Sequence, residues 1–151
     1  MNEQKQLLLK KTKTFTLVLA IYCTVFSVIS LLSAFTLTAV DSLRDSMPEL
    51  NDLQVTTYDL YATYIGTLLL IVLSVFFFLN NKKLKEGNSV TKLPYFLFTL
   101  NQLYGIVSGL VVENPLSTGF LIFNLLFNVA IGSLAVIPMI YLSKLGEESV
   151  A

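Results

Sequence analysis

The sequence predicts an all-α integral membrane protein, a bundle of four transmembrane helices with both termini in the cytoplasm. Three observations carry that expectation. Hydrophobic residues make up 54% of the chain and charged residues 13%, against roughly a quarter charged in soluble domains. Four apolar stretches each approach the roughly 20 helical residues that a bilayer core requires. The lysines fall on alternate sides of those stretches. Read as one membrane domain over 1–151, the chain has spans at 15–40, 60–79, 93–112 and 119–142, outer loops at 41–59 and 113–118, and a cytoplasmic loop at 80–92. Backbone groups inside hydrocarbon must bond within their own segment, so each span is expected to be helical.

The first span runs from Phe15 to Val40 without a charge. Lys5, Lys10, Lys11 and Lys13 before it resemble the basic start of a signal peptide. The apolar run of 26 residues exceeds the roughly 7–15 of such a peptide, and no small-x-small cleavage site closes it. A retained helix is the better reading. Nearly all small, the residues Thr16, Ala20, Thr24, Ser27, Ser30 or Leu31, Ala34 and Thr38 recur along it every three or four positions. Such a stripe lets another backbone approach, and Ala20, Thr24, Ser27 and Ala34 are its candidate packing residues. Cys23, beside the stripe, reads as a small packing residue.

The first outer loop, 41–59, places Leu43, Met47, Leu50 and Leu53 at helical spacing, interrupted by Pro48. It reads either as an ordinary ordered loop or as a short interfacial helix. The second span, Leu60–Leu79, ends in Val75, Phe76, Phe77 and Phe78. Asn80–Lys92 follows as a lysine-rich turn hinged at Gly87.

Thr91 precedes the third span, and Pro94 falls in its first turn, where a missing N–H is harmless. Gly105 and Gly109 form a GxxxG pair, a spacing that permits close helix crossing. Glu113-Asn114-Pro115 should stop this helix, because the residue before proline resists the α conformation. Ser117 and Thr118 are candidate caps for the fourth span. That span contains Pro138, expected as a static kink, and Gly146, just past Lys144, is expected to stop it. The short third loop makes the last two helices antiparallel neighbours.

Orientation follows from the lysines. The N-terminal arm, the middle loop and the C-terminal tail hold all nine, whereas the outer loops hold only Arg44. The formal charge of zero therefore divides into +5 on the cytoplasmic side and −5 outside. The outer acids Asp41, Asp45, Glu49, Asp52, Asp59 and Glu113 form a candidate acidic face. The lysines are expected to meet a bilayer with an anionic cytoplasmic leaflet.

Amides are the main polar feature inside the spans. Asn101, Gln102 and Tyr104 lie on the third, and Asn124 and Asn128 sit four apart on one face of the fourth. Hydrocarbon cannot satisfy an amide. These five residues are expected either to bond between helices or to line a small polar site.

No Asp, Glu, Lys, Arg or His lies in the core of any span, where proton and ion relays normally keep one. The sequence lacks His and Gly-rich phosphate loops, and no metal-ligand spacing or nucleic-acid motif is visible. The expectation is therefore a non-enzymatic protein without cofactor, metal site or nucleic-acid partner. It would act through helix packing as an accessory, regulatory or protective subunit, as a homo-oligomer or with another membrane protein. The alternative is an oligomeric small transporter or channel whose path the amides line. A third reading makes the acidic outer loop a sensor of cations or basic peptides. Nine Lys to one Arg and the absence of glycosylation sequons fit a bacterial plasma membrane.

Overall fold

The computed structural model describes residues 3–43, 46, 56–111 and 118–147. They form four α-helices in chain order: α1 (Glu3–Leu43), α2 (Thr57–Lys85), α3 (Leu93–Val111) and α4 (Thr118–Glu147). Each expected span lies within one of them, except that Val112 falls beyond the described part of α3. Among the described residues, three helices are long and apolar enough to cross a membrane: α1, α2 and the Leu121–Leu145 part of α4.

Three helices extend past the expected spans. α1 begins at Glu3, α2 runs to Lys85 and α4 continues through Gly146 to Glu147. Hydropathy marks only the part of a helix that avoids water. Leu, Lys, Gln and Glu beyond that limit are all good helix formers. The middle loop therefore narrows from 80–92 to the short connection after Lys85. The expected pattern of Met47, Pro48, Leu50 and Leu53 lies outside the described residues, as do Glu113, Asn114, Pro115 and Ser117.

The helix ends carry specific chemistry. Thr56 N donates to Asp59 Oδ2 at 2.9 Å, and Asp59 N donates to Thr56 Oγ1 at 3.1 Å. This reciprocal capping box satisfies backbone donors that the first turn leaves free. A third bond, from Thr56 Oγ1 to the same carboxylate oxygen at 2.6 Å, helps hold the Asp59 carboxyl below its ordinary range. Asp59 precedes the apolar stretch that opens at Leu60.

At the other end of α2, Asn88 N donates to Lys83 O at 2.9 Å and Gly87 N to Leu84 O at 3.3 Å. That pair is a Schellman motif, and Gly87 supplies its left-handed residue at φ +77°. Lys82, Lys83 and Lys85 occupy the same last turn, where carbonyl dipoles favour cations.

The Cα packing resolves two compact units: Met1–Leu19 with Phe76–Ala151, and Ala20–Val75. In the first, α3 and α4 pack closely. The aromatic centre is Phe77, edge-on to Tyr95 with ring centroids 5.1 Å apart and to Phe98 at 6.0 Å. All three rings are fully buried. Lys92 Nζ donates to Ser143 Oγ at 2.8 Å, joining the start of α3 to the end of α4. In the second unit, Ala20, Cys23, Ala34 and Leu73 are fully buried. Three of the four expected packing residues of α1 (Ala20, Ser27 and Ala34) thus lie inside, while Thr24 acts through its hydroxyl.

Candidate functional site

Polar side chains are a burden in an apolar helix unless each finds a partner. On α1, the hydroxyls of Thr16, Thr24 and Thr38 do so twice over. Thr12, Thr16, Thr24 and Thr38 each donate to the carbonyl four residues earlier, at 2.8–2.9 Å. A hydroxyl has one hydrogen, so any further bond to these oxygens must be accepted. Tyr95 Oη therefore donates to Thr16 at 2.7 Å, Ser74 Oγ to Thr24 at 2.6 Å, and Tyr64 Oη to Thr38 at 2.7 Å. Ser30 reverses the direction. Thr67 uses its hydrogen on Thr63 O, so Ser30 Oγ donates to Thr67 Oγ1 at 2.6 Å. Thr24–Ser74, Ser30–Thr67 and Thr38–Tyr64 belong to the Ala20–Val75 unit, and Thr16–Tyr95 to the other.

The Thr16–Tyr95 bond opens a cluster that no motif or spacing in the sequence marks. Asn80 donates its amide to Thr91 O at 3.0 Å. Thr12, Thr16, Asn80, Asn81 and Tyr95 are all buried. Asn80 and Asn81 looked like loop residues in the sequence, because the lysines that follow them set an early boundary. Their place inside α2 gives them an interior.

The amide group is assembled in part. Asn128 Nδ2 donates to Asn124 Oδ1 and to Asn124 O, both at 2.8 Å, which uses both of its hydrogens. Across the seam, a Cβ on Gly105 would lie 2.9 Å from Asn128 Oδ1. Four residues further along α4, Gly132 faces Gln102, whose Cβ would be 3.4 Å from a Cβ placed on that glycine. Each helix thus offers a glycine to an amide of the other, in antiparallel register. Gly109 lies in α3, so the GxxxG pair is present as helical spacing, and Gly105 is the member seen against α4.

The other two of the expected five do not meet a glycine of the facing helix. Asn101 is partly exposed, as Asn124 and Asn128 are, and Tyr104 is 56% exposed. Gln102 is only 5% exposed, and among the described residues its carboxamide has no hydrogen-bond partner. The α3–α4 seam is therefore closed by backbone-level contact at two levels, with one amide left over.

Of the candidate acidic face, Asp41 and Asp59 are exposed, whereas Asp45, Glu49, Asp52 and Glu113 lie outside the described residues. Among the described residues, no three His, Cys, Asp or Glu side chains come together as a metal centre requires. Cys23 is fully buried. No family model matches the sequence, and no curated protein or solved structure matches it either.

Proposed function

We propose that the chain is a non-enzymatic, four-span protein of a bacterial plasma membrane, with both termini cytoplasmic. It works through helix packing as an accessory, regulatory or protective subunit of a membrane complex. The supporting observation is the reciprocal glycine–amide seam of α3 and α4. There the polar groups of the spans serve close contact between helices, and Asn128 keeps no free amide hydrogen. The outward side chains are large and apolar, including Leu103, Val107 and Leu110 on α3 and Phe123, Leu126 and Val129 on α4. Such faces suit lipid or a partner helix equally well in polarity.

The test is in-membrane crosslinking from α3 and α4, followed by purification in mild detergent. A defined partner, either a second copy or another membrane protein, is the expected product. Recovery of the free monomer alone, from membranes where the protein is at its native level, overturns the reading. Orientation is tested separately by labelling single cysteines at positions 10 and 83 from each side of the membrane in a Cys23→Ala background. Both are expected to react from the cytoplasmic side only.

One observation favours a second reading. The enclosed, unpartnered carboxamide of Gln102 is what a polar path through an oligomer would need at its wall. On that reading, flux through reconstituted liposomes falls in Gln102→Leu and in the Asn124→Leu/Asn128→Leu pair. Unchanged flux in both removes the amides from any path.

A further inference from the structure

Where α1 begins, α2 ends, α3 begins and α4 ends, the larger unit forms a half-open cavity of ≈710 Å³. That volume is within the roughly 300–1,000 Å³ of small-ligand sites. Its walls divide by chemistry. Among the described residues, Lys5, Lys13, Lys85 and Lys92 line it together with a single carboxylate, Glu86. The remaining surface is largely aliphatic, with Leu9 and Leu142 among its residues.

The charges are poorly compensated from within. Glu86 accepts a bond from Asn88 Nδ2 at 3.2 Å. Among the described residues, Lys5, Lys13 and Lys85 have no ion-pair partner. Four ammonium groups around one concavity repel one another unless an anion enters. Lys92 is the exception in freedom, since its bond to Ser143 fixes the ammonium in place. It still has two hydrogens for a ligand.

We propose that this cavity binds the phosphate headgroup of an anionic phospholipid, with the acyl chains laid along its leucines. The lysine rim matches a phosphate oxyanion, and basic pockets among transmembrane helices are known places for such headgroups. The aliphatic wall selects between sources of that phosphate: a free inorganic ion would leave it wet, whereas a lipid covers it. Long lysine stems also reach from the apolar wall to a headgroup without burying their charge. The inference rests on the membrane placement of the helices and is independent of which partner the α3–α4 faces meet.

The test uses the full-length protein, stripped of lipid in detergent and titrated with phosphatidylglycerol, phosphatidylcholine or inorganic phosphate under native mass spectrometry. Phosphatidylglycerol is expected to bind in preference to phosphatidylcholine and to resist millimolar phosphate. Lys13→Gln/Lys85→Gln should weaken it by about fivefold per lysine, roughly thirtyfold for the pair. Lys10→Gln/Lys11→Gln, on exposed lysines outside the cavity, should stay within about twofold. Lys13→Arg/Lys85→Arg should keep binding, which separates lost charge from a lost fold.

Equal weakening by both glutamine pairs overturns the proposal in favour of diffuse surface attraction. Full displacement by inorganic phosphate overturns the lipid as its occupant, and so does equal binding of phosphatidylcholine. Alkaline extraction of native membranes stands apart from these outcomes. Release of the chain by alkali contradicts membrane placement itself, whereas a retained chain without lipid preference contradicts only the cavity assignment.

Discussion

Gly105→Ala is the substitution on which the seam can be judged. The added methyl carbon would lie 2.9 Å from Asn128 Oδ1, 3.5 Å from its Cγ and 3.7 Å from its Nδ2. Carbon–oxygen contacts settle near 3.3 Å or beyond, so the oxygen must retreat by about 0.4 Å. Asn128 is poorly placed to do so, because its amide nitrogen is held by both Asn124 O and Asn124 Oδ1. Releasing two bonds costs about 0.6 kcal/mol each inside a membrane. Keeping them forces the helices apart, an overpacking cost of about 1–3 kcal/mol. Alanine recovers about 1 kcal/mol as a better helix former than glycine. The net expectation is a loss of up to about 2 kcal/mol, against a gain of about 1 kcal/mol where no obstruction exists.

Reversible unfolding in mixed micelles measures that loss, and a double-mutant cycle assigns its cause. In an Asn128→Ala background the obstruction is gone, so Gly105→Ala should become neutral or stabilising by up to about 1 kcal/mol. Gly66→Ala is the control, since a Cβ there meets nothing within 4 Å. A coupling between positions 105 and 128 below about 0.5 kcal/mol would refute the reasoning. So would a Gly105→Ala loss no greater than that of Gly66→Ala.

Other substitutions probe separate parts of the molecule. Tyr95→Phe removes the donor to Thr16 and should cost about 0.6–1.7 kcal/mol by the same unfolding assay; an equal loss in a Thr16→Val background would show that the bond contributes nothing. Gly87→Ala forces a Cβ into a left-handed backbone and should cost about 1 kcal/mol, with Gly87→Asn milder. Thr56→Ala should cost about 1 kcal/mol at neutral pH. Because the Asp59 pKa is depressed in the fold, its contribution is present above the ordinary carboxylate range and fades as pH falls through the folded value. The Thr56→Ala deficit should therefore shrink in acid, and a deficit that grows there contradicts the capping box. Cys23, fully buried, should resist alkylation in the folded protein and react on denaturation; prompt labelling in micelles would place it elsewhere.

The helices were legible because a bilayer demands long apolar runs, and such runs are visible one residue at a time. Their ends were less so. Lys82, Lys83 and Lys85 signal water, but a helix can continue into solvent on favourable residues, so the apolar limit is not the end of α2. Thr56 and Asp59 did carry a readable signature, a hydroxyl followed three positions later by an acid. The stripe on α1 was legible as spacing, but not its partners Tyr64, Thr67, Ser74 and Tyr95. A single hydroxyl in an apolar run has no period, and only a second helix shows what it answers. The amides fared similarly. Periodicity put Asn124 and Asn128 on one face, but it could not separate Gln102, which turns inward, from Tyr104, which does not.

The hydroxyl bonds also imply an order of events during synthesis. Three of them close within the continuous segment Ala20–Val75, the most distant joining residues 50 positions apart. The fourth waits for Tyr95, 79 positions beyond Thr16. At about 5–20 residues per second, Tyr95 is made roughly one to four seconds after Val75. The first pair of helices can therefore find its register as an early hairpin, before the residues that complete the larger unit exist. A nascent chain halted after Lys85 should already show that pairing.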